Sequence, residues 1–338
     1  MKFKLLVFGF LLLGYQLFGQ TVSIVEQGRA TSIRGLAVVS NKVIWVSGSK
    51  GNVGLSLNGG QTWTWQQIKG FEQSDFRDIE AFSAKEAIIM SSGTPALILK
   101  TADGGLNWKI CYRNDDKSYF FDGLAFYNKK HGIAMGDPIN GKFVLLETTD
   151  GGISWNELKT GPSALKNEAA FAASGTSVFI ASKKANAVLL TGGSASRLLL
   201  SNNQLDKWDS AEMPLTQGQS SKGGFSLAAG GGQTVIVGGN YSMDKKTDSV
   251  ACYYNGKSIN GKYFHLSTTM PQGYQSCVAY IEKKIFLSTG TSGSNVTYDG
   301  GVNWQSVDAG SYNVCQKAKK GNLVILAGDK GRIAICKL

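Results

Sequence analysis

Residues 148–157 read TTDGGISWNE. The same spacing of a carboxylate or amide, two glycines and a tryptophan returns in SLNGGQTW ending at Trp63, TADGGLNW ending at Trp108 and TYDGGVNW ending at Trp304. Paired glycines supply the positive φ angles that a tight hairpin turn requires. Asp103, Asp150, Asp299 and the amide of Asn58 can accept hydrogen bonds from the backbone of their own turns. Three residues after the second glycine, each tryptophan offers a large apolar ring able to wedge between neighbouring sheets. The motif is therefore expected to be a structural fastener, one per unit, and its three aspartates are not expected to be catalytic.

The spacing of the fasteners sets the architecture. Trp63 and Trp108 are 45 residues apart, and Trp108 and Trp155 are 47 apart, which matches one four-stranded propeller blade. Between Trp155 and Trp304 lie 149 residues, room for two eroded units before the last intact one. LLLSNNQLDKW, ending at Trp208, and ACYYNGKSINGKYF, ending at Phe264, fill those places. After Trp304 only three strands remain, NVCQKA, NLVILAG and RIAICKL. The missing outer strand is expected from TVSIVEQ near the N-terminus, so the fold class is all-β, a seven-bladed propeller of four-stranded antiparallel blades closed by the N-terminal strand. KVIWVSG, QTVIVGG and KIFLSTG have the short, β-branched and aromatic character of strands, and no long stretch has a helical period.

The first residues stand apart. Lys2 and Lys4 precede an unbroken apolar run from Leu5 to Leu13, which reads as a secretory signal over 1–19. It is short for a membrane span and lacks a basic stop-transfer flank. The expected organisation is a signal peptide over 1–19 and one propeller domain over 20–338, exported to the periplasm or the cell exterior, monomeric and with no integral span after cleavage. Without the leader's two lysines the chain keeps 33 basic against 24 acidic residues, a net of +9. Paired lysines at 129–130, 183–184, 245–246, 283–284 and 319–320 fall in turns and read as solvated surface, with no nucleic-acid signature beside them. Cys111, Cys252, Cys277, Cys315 and Cys336 lack zinc or disulfide-framework spacing. They read as buried thiols, with one disulfide open to them in an oxidising compartment. His131 and His265 both fall at turns and read as surface or packing residues, so no metal site is expected.

Residues 31–338 resemble the bacterial neuraminidase repeat, or Asp-box, propellers, and within them the photosystem II stability and assembly factor-like group. Longer phrases carry this resemblance further than the turns do: IRGLAVVSNKVIWVSGSKG, DFRDIEAF, HGIAMGDPINGKFVLLETTDGG and AAFAASGTS. They are similar to exported bacterial propellers often labelled oxidoreductase. The sequence does not support that label: no glycine-rich dinucleotide loop opens a helix, and no flavin, haem or metal constellation is visible, so no cofactor is expected.

A ligand is expected at the mouth of the central channel, the concave surface to which every blade contributes. Inner strands start near Arg34, Arg77–Asp78, Asp122, Gln275–Ser276 and Asn313. The loops between second and third strands bring Asp137, Arg197, Asn240–Tyr241, Ser292 and Asp329 to the same face, and the long run SALKNEAAFAASGT is expected to hold Glu168 over the opening. Arg34, Arg77 and Arg197 together could hold a carboxylate or sulfate in their planar forks; equally, arginines and carboxylates could pair with one another around the channel. Two functions follow. One is a non-catalytic exported propeller that binds a protein segment or acidic glycan at the mouth, as an assembly or scaffold factor. The alternative is a sialidase-like glycoside hydrolase drawing on Tyr241 or Tyr274 with Glu168 and Asp122 or Asp137. The sequence around the first arginine lacks the expected RIP signature, and a carboxylate-pair glycosidase would further require set separations between two acids. Binding is the preferred reading.

Overall fold

The β-branched runs form strands arranged as seven antiparallel sheets in the computed structural model, which describes residues 20–181, 186–256 and 263–338. The expected leader, the lysine pair at 183–184 and the part of ACYYNGKSINGKYF after Gly256 up to residue 262 lie outside the described residues. Blade 1 comprises Ile33–Val38, Ile44–Gly48, Asn52–Ser56 and Thr64–Gln67, in order from the axis outward. Blade 2 follows with Asp75–Ala81, Ala87–Ser92, Ala96–Thr101 and Lys109–Asn114, and blade 3 with Phe121–Phe126, Gly132–Ile139, Lys142–Thr148 and Asn156–Glu157. Blade 4 is Val178–Ile180, Ala187–Leu190, Arg197–Ser201 and Trp208–Glu212; blade 5 is Gln219–Gly230, Gln233–Asn240, Ala251–Asn255 and His265–Leu266. Blade 6 is Cys277–Glu282, Ile285–Gly290, Gly293–Thr297 and Gln305–Asp308.

Blade 7 closes the ring. Val314–Lys317, Val324–Ala327 and Ile333–Lys337 come from the C-terminal end, and the fourth strand is Thr21–Glu26, antiparallel to Ile333–Lys337 with Thr21 opposite Lys337. One departure from strict repetition carries functional weight. Blade 5 is extended by two short pieces, Glu168–Ala169 and Gly192–Gly193, which tie the long connection before blade 4 to the inner strand of blade 5.

The recurring turns join third to fourth strands and behave as fasteners. In the blade 3 copy, Asp150 Oδ1 accepts from the backbone N–H of Ile153 and Ser154, both at 3.0 Å, and Oδ2 accepts from Ser154 Oγ at 2.6 Å. These bonds, that of the Ser154 hydroxyl foremost, hold the Asp150 carboxyl down at about 2. Gly152 has φ +79°, and a Cβ there would run into Ile88 of blade 2, so the turn demands glycine for both conformation and room. Each tryptophan packs against the preceding blade: Trp108 meets the fully buried Trp45 edge to face at 6.3 Å, Trp155 joins Ile88, Met90 and Ile98, and Trp304 joins Val235, Val237 and Ala251. Buried apolar surface between blades, stabilising at about 25 cal/mol per Å², is therefore distributed around the ring in separate clusters. All five cysteines are free thiols, four of them buried. His131 Nε2 donates to Glu147 Oε1 at 2.7 Å, and the ring stacks on Tyr127, a packing role.

Candidate functional site: an arginine and aromatic bowl

Antiparallel order sends the start of every inner strand and every second-to-third-strand loop to one face, the front. The fastener turns lie on the rear. The channel is not open at the front, because the connection before blade 4 crosses it. Ala173 C=O accepts from Arg34 of blade 1 at 3.2 Å, Ser174 Oγ donates to Ser276 C=O of blade 6 at 2.8 Å, and Thr176 Oγ1 shares a 2.6 Å bond with Ser226 Oγ of blade 5. Gly175, at φ +73°, lies so near Asp78 of blade 2 that a Cβ would overlap that carboxylate. One strand of chain thus plugs the axis and touches four blades.

Above this plug sits a cavity of about 420 Å³ lined by Arg34, Arg77, Phe120, Phe171, Phe225, Tyr241, Tyr274, Thr291 and Asn313, with Ala170–Ala173 as its floor. Phe171 and Phe225 stack with ring centroids 3.9 Å apart. Tyr274 meets Phe225 edge on at 4.8 Å, and Tyr241, half exposed, stands edge on to Phe171 and Phe225 at 6.3 Å. These four rings form one wall. Asn240 accepts from Ser242 N–H at 3.0 Å and so caps the short 3₁₀ turn that presents Tyr241.

Two guanidiniums line the same cavity. Arg77 Nε donates to Asp75 at 2.7 Å, and the group lies 5.8 Å over the Phe120 ring. Among the described residues Arg34 has no carboxylate within ion-pair distance. Burial and then the neighbouring Arg77 charge lower its pKa, which is the electrostatic mark of a cation wanting an anion. Tyr274 is pushed up from its ordinary value by burial.

The other expected site residues go elsewhere. Arg197 does not reach the bowl: its Nε and Nη2 bind Glu168 at 2.7 and 2.6 Å, and it opens instead onto a separate cleft with Lys142, Lys159 and Trp208. Glu168 does not project over the opening, since its carboxylate also accepts from Thr191 Oγ1 and Leu165 N–H and is buried. The three-arginine cluster expected from the sequence is therefore two arginines, because the third is neutralised by the carboxylate it was expected to work beside. Asp78 accepts from the backbone N–H groups of Ile79 and Leu124, both at 2.7 Å, bridging blades 2 and 3; burial nonetheless raises it to about 7. Asp122 is fully buried with neither carboxyl oxygen hydrogen-bonded among the described residues, and burial followed by Asp137 raises it well above the carboxylate range. Asp137 accepts from Ala170 N–H at 3.0 Å and is likewise raised by burial. Gln275 and Ser292 bond each other at 3.0 Å in a buried network that includes Ser288, and Asp329 is held by Ser32 and Asn313.

The residues that sequence reasoning missed are Phe120, Phe171 and Phe225. Phe171 sits in the quoted AAFAASGT run, where an aromatic flanked by alanines in an overlong connection was the available signal. Nothing local marked Phe225, which faces the bowl from inside a twelve-residue strand.

No protein-family model matches the chain, and no curated protein matches it. Solved structures do. One described as YCF48 bound to D1 peptide superposes with a TM-score of 0.66 at 13% identity, over 94% of this chain and 94% of that one. YCF48 from Cyanidioschyzon merolae superposes with a TM-score of 0.66 at 14% identity, over 93% of this chain and 98% of that one. At such identities the likeness is one of fold: along nearly its whole length, this chain shares the architecture of those structures.

Proposed function

We propose that this chain is a non-catalytic, exported propeller that holds a segment of another protein in the front bowl, with an acidic group on Arg34 and Arg77 and an apolar side chain on the aromatic wall. The observation that carries this reading is Arg34 itself, partly buried beside a second guanidinium and without a carboxylate partner among the described residues. A cation held out of water without a counter-ion is costly until an anion arrives. The fold likeness adds support, since one structure of this architecture is described as bound to a D1 peptide. The Asp-box and photosystem II stability and assembly factor-like resemblance, an assembly or scaffold role, a periplasmic or extracellular place and a monomeric state all belong to the same proposal.

Glycoside hydrolysis requires acids at the ligand, and among the described residues the bowl's lining supplies none: Glu168 is consumed by Arg197, while buried Asp122 and half-buried Asp137 lie off it. Tyr241 lines the cavity without a carboxylate beside it there. Selection of random displayed peptides against the purified protein, followed by calorimetry, tests the proposal. Selected peptides are expected to bind about 10–100-fold more weakly to Arg34→Ala and Arg77→Ala, the loss typical of a charge-assisted hydrogen bond. Recovery of ligand only from an acidic glycan array, or turnover of a sialoside, would replace it with a carbohydrate function.

A further inference from the structure

The lysines that look scattered in sequence are gathered by the fold. Three lysine pairs, 129–130, 283–284 and 319–320, together with Lys42 and Lys85, occupy the turns between first and second strands of blades 3, 6, 7, 1 and 2. Those turns lie on the rear face, nearest the axis. All eight side chains are exposed, and among the described residues only Lys319 has a carboxylate partner, Glu80.

A second feature shares this face. Leu57, Leu106, Ile153 and Tyr298 sit beside the glycine pairs of the four fastener turns, 58%, 81%, 54% and 43% exposed. The turns need their glycines, carboxylate and tryptophan for structure; nothing in the fastening uses these four apolar side chains. The third-to-fourth-strand turns lie farther from the axis, so the apolar groups surround the lysine ring. The acids in these turns are fewer and mostly engaged: Asp103, Asp150 and Asp299 fold back onto the N–H groups of their own turns, Asp206 accepts from Asn202 Nδ2, and Glu86 pairs with Lys100, leaving Glu282 among the central turns.

We infer that the rear face is a docking surface for an anionic phospholipid membrane. Lysine ammoniums are flexible point charges suited to a field of headgroups, each strengthening attachment roughly fivefold near an anionic surface. Rimming leucine, isoleucine and tyrosine side chains can enter the headgroup boundary, the pairing of charge and apolar area that peripheral binding uses. Nucleic acid is the weaker match, because this face offers lysines without the arginine forks and stacking platforms such recognition employs. The inference is independent of the bowl, which lies on the opposite face and would stay open when the rear is docked.

The test is vesicle co-sedimentation with the chain from Gln20 onward, so that the apolar leader takes no part. Binding to vesicles of phosphatidylglycerol and phosphatidylcholine is expected at about 50 mM salt, weakening steeply with added salt, with none to phosphatidylcholine alone. Reversing four exposed charges, Lys129→Glu, Lys130→Glu, Lys283→Glu and Lys284→Glu, is expected to cut partitioning at least a hundredfold with an unchanged melting temperature. Leu106→Ser with Ile153→Ser should cost severalfold, and this loss should persist at higher salt. Arg34→Ala, on the front, should change nothing. Absence of binding to the anionic vesicles, equal binding by the lysine variant, or lysine-dependent capture of duplex DNA by a protein that ignores vesicles would overturn the inference.

Discussion

The two faces of the propeller are built by different rules. The rear is made of local, repeated chemistry: an acid accepting from N–H groups three and four residues ahead, two glycines at positive φ and a tryptophan driven into the preceding blade. The front is made of single, distant encounters. Arg34 meets Ala173 across 139 residues, Ser174 meets Ser276 across 102, and the buried carboxyl of Asp122 has no hydrogen-bond partner among the described residues. Repetition makes the rear stable, while its absence at the front lets unsatisfied charge and an aromatic wall face a cavity.

That contrast can be broken or sharpened in order of effect. Removing residues 20–26 strips blade 7 of its outer strand and exposes the edge of Ile333–Lys337; loss of the folded state or aggregation is expected in a thermal scan followed by circular dichroism. Trp304→Ala, in a rear fastener, should cost about 3–5 kcal/mol in urea unfolding, the usual toll of a large cavity. A front-face substitution should act in the opposite direction. Burial lifts Asp122 and Asp78 above the unfolded carboxylate value, so across the window from about pH 4 to the value of about 7 held by Asp78 the folded chain keeps protons that the unfolded chain has lost. Stability accordingly falls as pH rises through that window. Asp122→Asn removes part of this dependence and is expected to raise the melting temperature by about 2–6 °C at pH 8, with little change at pH 4. The smallest effect is on one exposed turn: Asp150→Ala should lower melting by about 2–5 °C near neutrality. Because Asp150 sits at about 2 when folded, its contribution is present above pH 4 and disappears as pH falls toward 2, and the variant should then match the parent.

The same division decides what could be read in the sequence. The fasteners recur with their tryptophans at fixed offsets, so blade count, closure by TVSIVEQ and the turn-holding role of Asp103, Asp150 and Asp299 were all legible. Arg34 and Arg77 were legible too, since strand order alone delivers them to the front. Arg197 was misplaced because sequence says which face a residue reaches but not which partner it meets there: Glu168, 29 residues earlier, is brought within 2.6 Å by the two short pieces added to blade 5. Phe225 was invisible for a related reason. Its role comes from stacking on Phe171, 54 positions away in sequence, with the ring planes 6° apart, and no local period announces such a pair. The lysine ring was present in the sequence as separate pairs and single lysines and became a surface only when the topology set five of the described turns around one axis.

The central claim is that ligand capture belongs to the front bowl. Hydrogen–deuterium exchange of the protein with and without a selected peptide tests it most directly. The account predicts added protection at residues 170–175 and 241–243, lost in Arg34→Ala, with the fastener turns unchanged; protection confined to those rear turns, or to the cleft beside Trp208, would contradict it.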